Sequence, residues 1–158
     1  MRTLIAVARQ RSGLDETSCR FVLEWLQSVA AMRAVLRRSL ASHGLTELKF
    51  STLVTLFTLD PNPTMEADLA THARVTRPSV TSALNELQKQ RLVARERSTI
   101  DRRITHVRLT RKGHTVIDAA LQHYLQTAGQ LARFVDKDVQ TAASVVCARL
   151  RSGADGIS

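Results

Sequence analysis

From Asp15 to Ser42, apolar side chains recur at three- and four-residue steps: Val22, Trp25, Val29, Met32, Leu36 and Leu40. Phe21, Leu26 and Val35 widen that stripe, and no Pro or Gly breaks it before Gly44. The period predicts one long helix, longer than a small domain needs for its own core. Thr46 then predicts the cap of a second helix that buries Phe50, Leu53, Val54 and Phe57. Asp60-Pro61-Asn62-Pro63 reads as the turn that ends it. Thr64 predicts the cap of a short third helix from Met65 to about His72, with Glu66 and Asp68 where the helix dipole favours acids. A fourth helix starts at Arg77-Pro78, capped by Thr76 or Arg77, because Pro suits a first helical turn but disfavours helical geometry just before it. Val80, Ala83, Leu84 and Leu87 form its narrow apolar stripe. The opposite face carries Pro78, Ser82, Asn85 and Lys89, flanked by Thr81 and Gln88.

The period then changes. Leu92 to Arg97 reads as a strand, and Thr105, Val107 and Leu109 alternate with His106 and Arg108 in a second. Between them Ser98 to Arg103 is a polar hairpin tip. Thr110 predicts the cap of a fifth helix that carries Val116, Ile117, Ala120, Tyr124 and Leu131. A sixth follows from about Asp136, with Val139, Ala142, Val146 and Leu150, and residues 153–158 read as a frayed tail.

Composition narrows the class. At 158 residues and 44% hydrophobic, the chain suits one compact unit and is not a disordered polycation. Its apolar runs are far shorter than the roughly 20 residues that span a bilayer. Leu4 to Ala8 is too short for a signal-peptide core, so the expected location is cytoplasmic with no membrane partner. Cys19 and Cys147 make neither a disulfide framework nor a metal knuckle. No nucleophile–base pair or phosphate loop appears, so the chain does not read as an enzyme. The net charge is +9, and its location says more than its size. Between Arg74 and Lys112 eleven basic side chains face three acids, a net of +8, which leaves the rest nearly neutral. A solubility coat would be spread evenly; a footprint for phosphates is concentrated.

Short helix, turn, helix, then a two-stranded hairpin with a basic tip is the order of a winged helix-turn-helix. The fold class is therefore mainly α (α+β). The second helix of such a unit fits the major groove. Ser79, Thr81, Ser82 and Asn85 are compact enough for close approach and carry donors and acceptors. Thr76, Arg77 and Pro78 open this helix, whose N-terminal N–H groups suit a phosphate, and Arg74 joins Arg77 as a backbone contact. Arg97, Arg102 and Arg103 bring the wing to an adjacent minor groove.

The stretch from about Leu45 to Ala120 resembles the MarR family of bacterial winged-helix regulators. The resemblance is carried by Asp68-Leu69-Ala70, Val75-Thr76-Arg77-Pro78-Ser79-Val80-Thr81, Leu84-Asn85-Glu86-Leu87, Leu92-Val93-Ala94-Arg95, Asp101-Arg102-Arg103 and Leu109-Thr110-Arg111-Lys112-Gly113. It implies a homodimeric regulator, usually a repressor, on a pseudo-palindromic operator in double-stranded DNA. It also implies Arg103 as the minor-groove arginine, with Asp101 and Arg95 anchoring the wing. On this reading residues 1–44 and 114–152 form the dimerisation helices and 45–113 the DNA-binding lobe. Two positions depart from the family's habit: Arg91 stands where Gly often precedes the first wing strand, and Arg74 where many turns carry Gly.

Several alternatives stay open on sequence. Asn85 is either a bidentate adenine contact or a solvated surface residue. By location alone, the resemblance places a pocket for a small aromatic or amphipathic effector near Met32, Leu36, His43, Leu53 and His114. Cys19 and Cys147 admit a thiol-based redox sensor of the same fold, against two inert, partly buried cysteines. A non-specific architectural DNA binder is the competitor from another class. The histidines show no ligand spacing, so no metal and no cofactor are expected.

Overall fold

A computed structural model describes residues 7, 15–62, 64–73, 75–97 and 104–157. In chain order it contains α1 (Glu16–Ala41), α2 (Glu47–Leu59), β1 (Thr64–Met65), α3 (Glu66–Ala73), α4 (Arg77–Lys89), β2 (Val93–Arg97), β3 (Thr105–Leu109), α5 (Arg111–Ala132) and α6 (Lys137–Asp155). This is a mainly helical winged helix-turn-helix with long flanking helices, the class the sequence predicts.

The helix borders follow side-chain chemistry. Asp15 caps α1, its carboxylate accepting from Thr17 N at 3.0 Å and Ser18 N at 3.3 Å. The Ser18 hydroxyl, which also donates to this carboxylate, and then these backbone N–H groups hold its carboxyl below the usual carboxylate range. Thr46 and Thr110 cap α2 and α5 by accepting from Lys49 N and Gly113 N. Each cap satisfies an N–H that the helix itself cannot. After α1 the chain reverses at Gly44, whose φ of 70° suits a residue without Cβ.

The core lies where α2, α3, α4, the sheet and α5 meet. Leu53, Leu84, Leu87, Val107, Ile117 and Ala120 are fully buried there, and Leu40 ties the end of α1 to it. The sheet order is β1-β3-β2, antiparallel throughout. β2 and β3 pair from Val93↔Leu109 to Arg97↔Thr105.

Two expectations are corrected. Thr64 is not a helix cap: it is a buried strand residue, with Thr64 opposite Val107 and Met65 opposite His106. The two residues cover the outer edge of β3, whose backbone groups need partners. The third helix therefore begins at Glu66. The tail does not fray at 153 either, because α6 continues to Asp155. A single internal Gly costs a helix about 1 kcal/mol, which Gly153 alone does not turn into a stop. Among the described residues no helix is long and apolar enough to cross a membrane.

Candidate nucleic-acid interface

Helix α4 owes its start to Thr76, which is extended at φ −69° and ψ 148°, and to Pro78 in the first turn. The Thr76 hydroxyl does not cap the backbone; it pairs with Ser79 Oγ at 2.9 Å. By helix geometry the first-turn N–H groups lack intrahelical acceptors, so this end offers donors to an anion. Thr76, Arg77 and Pro78 are exposed around it and Ser79 is half-buried. Arg77 also lines a cleft of about 350 Å³ with Glu66, Thr81 and Thr105, between α3, α4 and the wing.

The apolar stripe of α4 (Val80, Ala83, Leu84, Leu87) is buried as predicted, and Thr81, Ser82, Asn85, Gln88 and Lys89 are exposed. Each flank is fastened. On one side Lys49 Nζ of α2 meets Glu86 Oε2 at 2.5 Å, and Lys49 is only 12% exposed. That hydrogen bond holds the Glu86 carboxyl below its ordinary range. On the other side Arg95 of β2 reaches across to the helix. Its Nη1 donates to Asn85 Oδ1 at 2.5 Å and to Gln88 Oε1 at 3.2 Å, and Nη2 approaches the Thr81 carbonyl at 3.5 Å. Its Nε lies 2.7 Å from Glu66 Oε1 without directing its N–H along that line, so this contact is ionic rather than a directed hydrogen bond. Arg95 thus joins α3, α4 and the wing strand, whereas the sequence placed it as an anchor of the wing alone. Asn85 is correspondingly neither loose in solvent nor free at both ends of its amide. Lys49, Glu66 and Gln88 were not anticipated as site residues. Pairing across elements leaves no periodic trace, and Glu66 read only as a dipole partner.

The base of the wing explains the Arg91 departure. Arg91 takes φ 60°, the left-handed geometry that Gly would adopt without strain. The Thr110 hydroxyl donates to the Arg91 carbonyl at 2.7 Å, and Lys112 Nζ donates to the Gln90 carbonyl at 3.0 Å. Gly113 is required by contact: a Cβ there would lie 2.0 Å from the Leu92 carbonyl oxygen. Arg97 is exposed on the last strand pair before the tip. Arg74, Asp101, Arg102 and Arg103 lie outside the described residues.

Residues 35–120 match the family model described as transcriptional regulator SarA/Rot. The chain belongs to this family. The repressor YetL of Bacillus subtilis is 25% identical over 132 residues, 83% of this chain and 79% of YetL. AbsC of Streptomyces coelicolor, a MarR family transcriptional regulator, superposes with a TM-score of 0.76 at 20% identity, covering 92% of this chain and 99% of AbsC. The MepR–DNA complex of S. aureus superposes with a TM-score of 0.74 at 17% identity, covering 84% of this chain and 97% of MepR. The MarR resemblance read from Leu45 to Ala120 therefore stands, and this SarA/Rot family member is a winged-helix transcriptional regulator.

The expected effector residues do not come together in this regulator. Leu53 is sealed in the core and Met32 is exposed, while Leu36 is half-buried. His43 Nε2 faces His123 Nδ1 at 3.2 Å, and His114 sits against Phe57 and 3.8 Å from Asp60. A different cleft, of about 630 Å³, opens between α1, α2 and α5, lined among others by Arg33, Glu47, Phe50, Val54 and Tyr124. Phe50 and Val54, on either side of Leu53 along α2, are partly buried against the core and line this cleft, whereas Leu53 is sealed within the core. Arg33 Nη2 and Arg37 Nη2 both donate to Glu47 Oε2, at 2.7 and 3.1 Å. These bonds, Arg33's first, hold the Glu47 carboxyl below its usual range. Phe50 and Tyr124 pack as tilted rings with centroids 4.9 Å apart.

Cys19 and Cys147 are both free and half-buried. Cys147 lines an apolar groove with Val22, Trp25, Leu26, Leu150 and Ile157, of which Cys19 is not part.

Proposed function

We propose that this regulator is a homodimeric repressor that seats α4 in the major groove of a pseudo-palindromic operator and the wing in the adjacent minor groove. The observation that carries the reading is the fastening of α4. Its core stripe is buried, Lys49 and Arg95 hold its flanks, and the strip through Pro78, Ser82 and Lys89 faces outward within the +8 segment. A helix presented rigidly loses little order on docking. The likeness to YetL, a repressor, and to MepR bound to DNA supports the same reading.

Dimerisation is supported by what α6 leaves uncovered. Among the described residues it has no buried side chain, and Val139, Val145 and Phe134 before it are exposed, Phe134 by 88%. The groove at Trp25 and Leu150 continues this apolar surface onto α1. A second copy covers both. The cleft beside Tyr124 is the effector site of the proposal. Its aromatic walls and Arg33, which shares the Glu47 carboxylate with Arg37 beyond the cleft, suit a small aromatic anion. Such a ligand releases DNA by favouring a dimer whose two α4 helices are misplaced for successive grooves, to the extent that it binds that state better.

Competition between operator and random DNA at fixed salt tests the proposal. A specificity ratio of at least about 10³ is expected of a regulator. Equal affinity for both DNAs overturns it in favour of architectural binding.

A further inference from the structure

Asparagine on a helix in the major groove ordinarily reads adenine with both ends of its amide: the oxygen accepts from N6 and the nitrogen donates to N7. In this chain the oxygen of Asn85 is already engaged, 2.5 Å from Arg95 Nη1. A guanidinium carries only donors, so the atom facing it is the amide oxygen and the NH2 group points away. Arg95 is itself held from several sides. Gln88 Oε1 takes the second Nη1 hydrogen, the Thr81 carbonyl faces one on Nη2 at 3.5 Å, and Glu66 lies against its Nε. Its side chain is 18% exposed and that of Glu66 27%, so turning Arg95 outward leaves a half-buried carboxylate without its cation.

We infer that Arg95 is a positioning residue that turns the Asn85 NH2 to the major groove as its reading group, selecting guanine over adenine at one position of each half-site. Guanine presents two acceptors there, N7 and O6, and no donor, whereas adenine's N6 amino group has to share the Asn85 oxygen with Arg95, taking its second lone pair beside a cation that repels the amino hydrogen. The inference rests on the proposed docking of α4 in the major groove. It also separates Arg95 from the other arginines of the basic segment. With its charge matched by Glu66 and three of its five N–H groups turned to α4, Arg95 is not a phosphate contact.

The test is an operator library, each position varied through all four base pairs, read with the full-length wild type, Asn85→Ala and Arg95→Met. Wild type is expected to rank guanine first at one position per half-site, and Asn85→Ala to flatten the ranking there alone. Arg95→Met keeps an unbranched apolar stem but removes the donors. It is expected to move preference at that position towards adenine by roughly tenfold, the size of one good base contact. Its salt slope is expected to match wild type, where a lost phosphate contact lowers the slope by about 0.9. Three results overturn the inference: an even loss of affinity with unchanged ranking in Arg95→Met, adenine as the wild-type preference at the Asn85-dependent position, or no effect of Asn85→Ala on any ranking. A wild type that ranks no operator position defeats the operator reading first, and this one with it. Because Arg95→Met removes an ion pair and can unfold the lobe, the free wild-type protein supplies a second readout. The Asn85 side-chain NH2, assigned by its loss in Asn85→Ala, is expected to be as ordered as the backbone by 15N relaxation; a freely reorienting amide overturns the inference.

Discussion

Helices α4 and α6 carry the same kind of pattern and end in opposite situations. In α4, 13 residues long, Val80, Ala83, Leu84 and Leu87 are all buried within the lobe. In α6, 19 residues long, no side chain is buried. Helical periodicity says that one face is apolar; it does not say whether the same chain covers it. Charge supplies the missing term. Helix α4 lies in the segment with a net charge of +8, which a polyanion complements, whereas α6 belongs to the nearly neutral remainder. A like copy can approach a neutral apolar face without self-repulsion.

One substitution in each stripe breaks or sharpens the contrast. Leu84→Ala opens a cavity in the lobe and is expected to cost about 2–5 kcal/mol, by the same amount at every protein concentration. Leu150→Glu places a charge on the uncovered face of α6 and α1. The expected result is a folded lobe whose melting temperature no longer rises with concentration. Operator affinity should fall by about a hundredfold as two linked half-site contacts become one. Thermal denaturation across a concentration series, with sedimentation and operator titration, reads both. A Leu150→Glu protein that stays dimeric erases the distinction between the two helices.

Within the basic segment, Arg91 exchanges backbone comfort for charge. A left-handed non-glycine residue is strained by about 1–2 kcal/mol, so Arg91→Gly is expected to raise stability by about 1 kcal/mol in urea titrations. An unchanged midpoint means that the Thr110 and Lys112 contacts around this turn already absorb the strain.

What was readable in sequence follows from what leaves a local trace. Thr46 and Thr110 each mark a helix start, because a capping side chain acts on N–H groups two or three positions away, while Thr76 marks one through the Pro in the following first turn. The wing strands and the buried stripe of α4 were readable because a period of two or of 3.6 is written in consecutive residues. Strand β1 was not, since two residues show no period and Thr64 suits a cap or a strand edge equally. Nor was the bridge from Arg95 to Asn85, ten positions apart on different elements. Location by resemblance likewise does not resolve which of Phe50, Leu53 and Val54 is sealed in the core and which line the cleft beside Tyr124.

The smallest expected effect separates the two halves by acid. Glu86 fastens α4 within the lobe and Glu47 fastens the lobe to α1, and arginine or lysine partners hold both carboxyls below their ordinary range. An unfolded glutamate titrates near about 4.3. With a lower folded pKa, each pair stabilises above that value and is lost as pH falls through the folded one. Both sites are solvent-screened, so the contribution is small. Glu47→Gln is therefore expected to lower the melting temperature slightly at pH 7. It should also melt with a shallower loss per pH unit below about pH 4.3 than wild type. Glu86→Gln should do the same while also loosening α4, seen as weaker operator binding at neutral pH. If Glu47→Gln weakens operator binding as much as Glu86→Gln, the junction with α1 and the fastening of α4 are one mechanical unit, and the contrast between the basic lobe and the flanking helices does not extend to their ion pairs.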